Sequence, residues 1–349
     1  MANPYKNFPS SSFWSKSVSL HETALVDPII ETKFRFEKDF KIASAGSCFA
    51  KQLSSRIKDL GINYIIKEKP HSLLNDSEVD LYNYNSYSAR YGNIYTISQL
   101  KQLFLRAYND FEDNNHIISS QNNFIDAYRP RIQPNGFSSK EELKLDRKFH
   151  YKAVRSVFKE LDVFIFTLGL TEAWRSSIDD TTFPICPLVV SESVKQSDYY
   201  LHNFTIEEIE RDLAEFIELL TDVNKSAKII LTVSPVPLIA TGNRKHVIVS
   251  NCYSKSLLRV AVGNISENYS NVDYFPSFEI INSIPGYFNS DLRTVNQKGI
   301  DHVMRVFLEH YLSIKQNKIN YIDHNKIYKC QSYNKYFEDQ CDEIIYQDK

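Results

Sequence analysis

Glycine is scarce in this chain. Nine glycines occur among 349 residues, well under half of the usual share of about 7%. A chain that uses glycine so rarely is expected to keep it where a side chain would not fit. The remaining glycines therefore mark candidate tight turns and close backbone contacts.

Long apolar runs are missing as well. The longest apolar stretches, 163–166 and 229–231, have the length of a strand and not of a membrane-spanning helix. The N-terminal segment scatters aromatic side chains among serines and contains no apolar core of the kind found in signal peptides. We therefore expect a cytoplasmic protein without a transmembrane segment.

The cysteines are few and lack the spacing of a metal site. Five occur, an odd number, and none forms a C-x-x-C pair. This pattern argues against a disulfide framework and against a zinc site, so we expect free thiols and no bound metal. The five are Cys48, Cys186, Cys252, Cys330 and Cys341.

Charge of one sign is not in excess. The chain has 41 basic and 43 acidic residues, a formal net charge of -2, with 42% hydrophobic and 24% charged residues. Such a composition is typical of a globular protein and creates no field that would attract nucleic acid or an anionic membrane. We expect neither as a partner, and the sequence gives no indication of an oligomeric state.

Short apolar strands alternate with amphipathic helices along the chain. Strands are predicted at 41–45, 62–66, 163–167, 228–233 and 272–275. Helices are predicted at 48–60, from 98, from 139, at 205–220, from about 252 and at 297–312. Capping boxes mark two helix starts, Ser139 with Glu142 and Thr205 with Glu208. The alternation predicts an α/β protein, a three-layer α/β/α sandwich with a mostly parallel sheet.

Three segments follow predicted strands and should meet at the carboxyl edge of the sheet, where open parallel sheets bind ligands. They are 46–48, 169–172 and 241–246. A serine between a strand and a helix suits a nucleophile beside an oxyanion site, which makes Ser47 the candidate. Two alternatives stay open: Ser47 could only cap its helix, and Cys48 could be the nucleophile unless it points into the core.

The segment Gly46-Ser47-Cys48-Phe49-Ala50 carries the motif for which the GSCFA family is named. The chain resembles this bacterial family, which is itself similar to the SGNH/GDSL hydrolases. The resemblance extends over roughly residues 13–310, because further family-like segments follow in order. They are YGNIY at 91–95, YRPR at 128–131, TLGLTEAW at 167–174, SPVP at 234–237, YSK at 253–255 and YFPS at 274–277.

The resemblance implies one SGNH-like domain over 41–315, with an insertion around 67–160. An N-terminal extension, 1–40, would pack on this core, and 316–349 would form a polar tail.

Ser47 would take the place of the catalytic serine of the SGNH hydrolases. The resemblance implies that Thr171 replaces an asparagine that donates to the oxyanion, which leaves a weaker hydroxyl donor, and that Glu172 replaces an aspartate. Oxyanion or substrate-binding roles are implied for Gly46, Cys48, Gly92, Asn93, Gly169, Thr171 and Glu172.

The residue that would act as general base differs from the pattern of the SGNH hydrolases. The family block D-x-x-H aligns with 291–294, so Thr294 stands where a histidine is expected. We predict His246, on the loop after a central strand, as the substitute base, with Asp291 as its acidic partner and Glu172 or Glu279 behind it. The alternative is that His246 is a solvated loop residue.

The sequence therefore suggests a serine enzyme of acyl-ester chemistry. We expect a carbohydrate O-acyltransferase or esterase acting on a surface-polysaccharide or glycoconjugate precursor, so its partner would be a carbohydrate or acyl-ester small molecule. No cofactor is required, although an acyl-coenzyme A donor would suit the basic residues Arg129, Arg131, Arg244 and Lys245.

Two other classes remain. The missing histidine favours a non-catalytic protein that binds a glycan or a nucleotide sugar on a degenerate SGNH scaffold. A weaker alternative is an interaction subunit that docks a partner through its tyrosine-rich tail, 321–346.

Overall fold

The computed structural model describes residues 3–108 and 116–313. The strands in this part of the chain are β1 (Ile42–Ala45), β2 (Ile117–Ser120), β3 (Asn123–Asp126), β4 (Val163–Leu168), β5 (Glu172–Ser176), β6 (Thr182–Phe183), β7 (Tyr199–Asn203), β8 (Lys228–Val233) and β9 (Val272–Tyr274). The α-helices are α1 (Cys48–Asp59), α2 (Asp76–Leu81), α3 (Ile97–Tyr108), α4 (Lys140–Glu160), α5 (Pro187–Val190), α6 (Ile206–Val223), α7 (Val247–Asn268), α8 (Ser277–Ser283) and α9 (Gln297–Tyr311).

A parallel sheet of four strands forms the centre, in the order β1-β4-β8-β9. Its register pairs Ala45 with Phe166, and Phe166 with Leu231. The carboxyl ends of β1, β4 and β8 therefore lie side by side. This edge receives all three segments that the sequence singled out.

Side chains of the central strands alternate between two helical layers. Ala43 and Phe164 belong to a hydrophobic cluster with residues of α3, α4, α6 and α7. Ile42 and Ile165 belong to a second cluster, with residues of α1, α8 and α9. The predicted three-layer α/β/α sandwich is confirmed.

Helix capping explains two of the helix starts. Thr205 and Glu208 form the predicted capping box at the start of α6. At α4, Ser139 caps the Glu142 N–H, but the Glu142 carboxylate accepts from the Ser138 N–H at 2.9 Å and not from Ser139. The predicted box at α4 is therefore formed only in part.

Other elements differ from the prediction. Residues 62–66 form no strand, and Tyr64 makes only an isolated bridge with Ile42. Helix α7 begins at Val247, before the predicted start. The prediction missed this first turn because its apolar residues Ile248 and Val249 are 70% and 55% exposed and do not fit an amphipathic pattern. The hairpin β2-β3 and the antiparallel sheet β6-β5-β7 were also not predicted, since their strands are short.

The N-terminal segment is attached to α9. Phe36 is buried, its N–H donates to the Tyr311 carbonyl at 2.8 Å, and its carbonyl accepts from the Ser313 N–H at 2.8 Å. The tail at 316–349 lies outside the described residues. Within the described ranges, no helix is both long and apolar enough to span a membrane.

A buried ionic cluster lies along α4. The Asp126 carboxylate accepts from Arg129 Nε at 2.8 Å and from Arg147 Nη2 at 2.6 Å. Arg129 also pairs with Asp146 at 2.6 Å. Because each charge in the cluster has a close counter-charge, its burial is tolerated.

Glu68 joins this cluster through a histidine. The His150 Nδ1–H donates to Glu68 Oε2 at 2.7 Å, and the Arg90 N–H donates to the same oxygen at 2.8 Å. Burial alone would raise the pKa of Glu68, but the contact with His150 and the charge of Arg129 lower it to about 2. Burial and the charge of Arg129 lower the pKa of His150, against the opposing effect of Glu68.

These pKa shifts predict loss of stability in acid. In the unfolded chain Glu68 titrates near 4.5, so its folded pKa of about 2 contributes stability above that pH, which is lost as the pH falls toward 2. The expected contribution is on the order of 3 kcal/mol. Urea denaturation should show that Glu68→Gln lowers the free energy of unfolding at pH 7 and much less at pH 3.

The exposed Glu267 on α7 provides the control. Glu267→Gln should shift the free energy of unfolding little, and equally, at both pH values. If the Glu68→Gln and wild-type curves ran parallel from pH 7 to pH 3, Glu68 would not carry the acid dependence.

Candidate functional site

Ser47 lies on the turn between β1 and α1. Gly46 before it has φ +150°, and a Cβ there would lie 2.6 Å from the Ala50 Cβ and 2.9 Å from the Thr167 Cβ. Ser47 occupies the N-cap position of α1, yet its hydroxyl makes no capping hydrogen bond. The alternative that Ser47 serves only as a helix cap therefore has no contact to support it.

A segment around Asn93 connects the Ser47 turn to the end of β4. The Ile94 N–H donates to the Gly46 carbonyl at 2.8 Å, and the Tyr95 carbonyl accepts from the Gly169 N–H at 2.8 Å. Asn93 is buried and directly precedes these two anchor points. The predicted Gly92-Asn93 loop and the Gly169 loop are thus held beside Ser47.

Tyr87 fixes the backbone on the inner side of this turn. Its hydroxyl lies 2.9 Å from the Gly46 carbonyl and 2.8 Å from the Ser47 carbonyl, and 3.3 Å from Asn93 Oδ1. No local sequence pattern marks Tyr87, because its contacts depend on the path of the chain between α2 and α3.

Helix α7 holds the loop after β4. Lys255 Nζ donates to the Gly169 carbonyl at 2.7 Å, and Ser254 Oγ accepts from the Thr171 N–H at 3.0 Å. Both side chains are buried. The YSK segment, which the sequence analysis associated with the family, therefore positions the loop that carries Thr171.

Two buried threonine hydroxyls at this edge have no hydrogen-bond partner in the described part of the chain. They belong to Thr167 and Thr171. Thr167 is one of the two residues that leave no room for a Cβ at position 46. Buried hydroxyls normally have a partner. Two unpaired hydroxyls beside the Ser47 turn are consistent with a site in which a ligand supplies their hydrogen-bond partners.

Glu172 anchors the loop that precedes His246. Its Oε1 accepts from Thr241 Oγ1 and from Asn243 Nδ2, both at 2.7 Å, and its Oε2 accepts from the Gly242 N–H at 2.9 Å. With three donors from this loop, Glu172 has a structural explanation that requires no substrate.

Within residues 3–108 and 116–313, neither His246 nor Asp291 hydrogen bonds to Ser47. His246 is exposed and caps α7, where its Nδ1 accepts from the Ile248 N–H at 3.3 Å. Asp291 accepts from Thr294 Oγ1 at 2.5 Å within its own turn. Burial would raise the pKa of Asp291, but the hydrogen bonds from Thr294 and the Arg293 N–H lower it. Their catalytic roles therefore remain predictions.

None of the remaining histidines in residues 3–108 and 116–313 hydrogen bonds to Ser47 either. His302, for example, uses Nδ1 with the Tyr287 hydroxyl at 2.7 Å and Nε2 with the Val26 carbonyl at 2.6 Å. The same ranges contain no cluster of three or more His, Cys, Asp or Glu side chains that could hold a metal ion.

Cys48 and the basic residues give further corrections. Cys48 is disulfide-bonded, so the prediction of a free thiol is wrong at this position, and its sulfur is no candidate nucleophile. Cys252 is a free thiol. Arg129 is buried and paired with two carboxylates, so it is not available for a phosphate group. Arg244 and its neighbour Lys245 are exposed.

The arrangement defines a class of protein: an α/β sandwich with a serine at the first strand-to-helix turn and a site at the carboxyl edge of its parallel sheet. The chain belongs to the GSCFA family, whose model matches residues 41–307. The resemblance drawn from the motifs is thereby confirmed.

Comparison with individual proteins adds little. No curated protein matches the chain. A solved structure from Parabacteroides merdae, provisionally described as a GDSL-like lipase, matches with 15% identity and a TM-score of 0.34, covering 79% of this chain and 97% of that one. At this level of similarity nothing is transferred from that protein to this chain.

The two positive-φ glycines of the site should respond differently to alanine. Gly46→Ala places a Cβ 2.6 Å from Ala50 and 2.9 Å from Thr167, so we expect a loss of roughly 3 kcal/mol or more in unfolding free energy. Gly92→Ala, at φ +70° with open space around it, should cost only about 1 kcal/mol. Urea denaturation measures both, and equal losses would contradict the packing described for Gly46.

Proposed function

We propose that this protein carries out acyl-ester chemistry with Ser47 as the nucleophile. The observation that carries the proposal is the Ser47 hydroxyl itself, which stands at the N-terminus of α1 without capping that helix. Membership of the GSCFA family and the α/β sandwich support a hydrolase-like fold.

The chemistry would use groups on both sides of Ser47. Its Oγ attacks the acyl carbonyl carbon, and the carbonyl oxygen becomes an oxyanion. The first N–H groups of α1 have no partner within the helix, and they can donate to this oxyanion together with the Thr171 hydroxyl. The proton taken from Ser47 passes to the leaving alcohol, or to the leaving thiol of acyl-coenzyme A, and water or an acceptor hydroxyl then takes the acyl group from Ser47.

The proton of Ser47 needs an acceptor. His246 remains our proposed base, with Asp291 as its acidic partner. To reach Ser47, His246 would have to give up the hydrogen bond with which it caps α7. The anchoring of residues 241–243 by Glu172 would hold the base of this loop in place while His246 moves.

The substrate class rests on the chemistry and on family analogy. We propose a carbohydrate O-acyltransferase or esterase that acts in the cytoplasm on a surface-polysaccharide or glycoconjugate precursor, and acyl-coenzyme A is the proposed donor if the reaction is a transfer. The exposed Arg244 and Lys245, on the loop next to His246, are the basic residues available for its phosphates.

A second function is favoured by one specific observation. The Thr294 hydroxyl donates to Asp291 at 2.5 Å, so the acid of the D-x-x-H-like block is satisfied without any imidazole. A protein that had lost its base would keep the site at the carboxyl edge of the sheet and bind a glycan or nucleotide sugar without turnover.

The two functions differ in a simple assay. Wild-type protein should hydrolyse p-nitrophenyl acetate and be labelled by a fluorophosphonate, and Ser47→Ala should lose both activities by at least about 100-fold, since no other group replaces the nucleophile. Ser283→Ala, an exposed serine on α8, is the matched control and should behave like wild type.

If Ser47→Ala retains both turnover and labelling, the nucleophile is not Ser47. If wild type shows neither, while a sugar raises its thermal unfolding temperature, the binding function replaces the enzymatic one.

A further inference from the structure

A small cleft is lined in part by the segment that contacts the Ser47 turn. The volume open to the centres of water-sized groups is about 20 Å³. This is enough for a small polar group but not for a whole sugar ring. Its lining includes Asn93 and Ile94, and the Ile94 N–H donates to the Gly46 carbonyl. Its other lining residues include Arg106, Tyr128, Arg129 and His150.

Arg106 is the unusual cation of this cleft. Its guanidinium carbon lies 3.9 Å from the ring centroid of Tyr128. Among residues 3–108 and 116–313, its buried Nε has no hydrogen-bond partner. Stacking on an aromatic ring orients the guanidinium but does not satisfy its N–H groups.

The neighbouring charges are already balanced. Three arginines pair with three acids in the adjacent cluster: Arg90, Arg129 and Arg147 with Glu68, Asp126 and Asp146. Arg106 therefore adds a positive charge that nothing in the described ranges neutralises. A buried or half-buried guanidinium of this kind favours an anionic oxygen group.

His150 provides a hydrogen-bond acceptor at the same cleft. Because its Nδ1–H donates to Glu68, the lone pair resides on Nε2. This Nε2 is buried and has no partner among the described residues. A cleft with one donor cation and one neutral acceptor fits a ligand that carries an anionic oxygen group and a hydroxyl.

We propose that this cleft binds the carboxylate and an adjacent hydroxyl of an acidic sugar, a uronate. Arg106 pairs with the carboxylate, and His150 Nε2 accepts from the sugar hydroxyl. The proposal rests on the proposed function, because it makes the substrate of Ser47 an acylated acidic carbohydrate. The rest of the sugar would extend along Asn93 toward the Ser47 turn.

The test measures binding without catalysis. Isothermal titration of Ser47→Ala protein with D-glucuronate should show binding, whereas D-glucose, which lacks the carboxylate, should bind at least about tenfold more weakly. Adding Arg106→Gln should weaken glucuronate binding about tenfold or more. Arg211→Gln, an exposed arginine on α6, is the matched control and should leave it unchanged.

The remaining outcomes also decide the matter. Equal binding of glucuronate with and without Arg106→Gln overturns the proposal, as does phosphate that binds as tightly as glucuronate. If Arg106→Gln does not fold, Arg106→Lys replaces it, because lysine keeps the charge but cannot make two parallel hydrogen bonds to a carboxylate. A several-fold weaker affinity for glucuronate supports the proposal, and an unchanged affinity overturns it.

The outcome is independent of turnover. Because Ser47→Ala is used, glucuronate binding can hold even when the ester assay removes the enzymatic function. Conversely, ester turnover in wild type can stand when the cleft does not bind glucuronate.

Discussion

Two backbone hydrogen bonds hold the site together. The Ile94 N–H donates to Gly46 and the Tyr95 carbonyl accepts from Gly169, so one segment joins the ends of β1 and β4. The turn at Gly46 has no room for a side chain, and the segment therefore meets a backbone whose position is already fixed. The Ser47 turn and the cleft lined by Asn93, Ile94 and Arg106 are both in contact with this segment.

The distribution of satisfied and unsatisfied polar groups gives this edge its chemical character. The fully buried carboxylate of Asp126 is paired with two arginines. Three buried polar atoms have no hydrogen-bond partner in the described ranges: Thr171 Oγ1, Arg106 Nε and His150 Nε2. Since an unsatisfied buried polar group costs about 1–3 kcal/mol, such groups are expected where a ligand completes them.

Local sequence patterns were sufficient to predict the parallel strands, most helices and the positions of Ser47 and Thr171, because each depends on residues close in sequence. The exposed apolar residues at the start of α7 hid its periodicity from the sequence. Residues 62–66 pair with β1 through a single bridge, from Tyr64 to Ile42, and so form no strand. The roles of Tyr87 and Arg106 could not be predicted, because their partners lie on other segments of the chain.

Helix α7 connects two parts of the site that the chain otherwise keeps apart. His246 caps its first turn, Ser250 accepts from Thr241 one turn later, and Ser254, about 12 Å along the axis from the cap, holds the Thr171 N–H. These three positions recur every four residues and so lie along one stripe of a rigid rod. Because α7 is one continuous helix, the cap at His246 and the hydrogen bond that holds the Thr171 N–H are kept at a fixed separation.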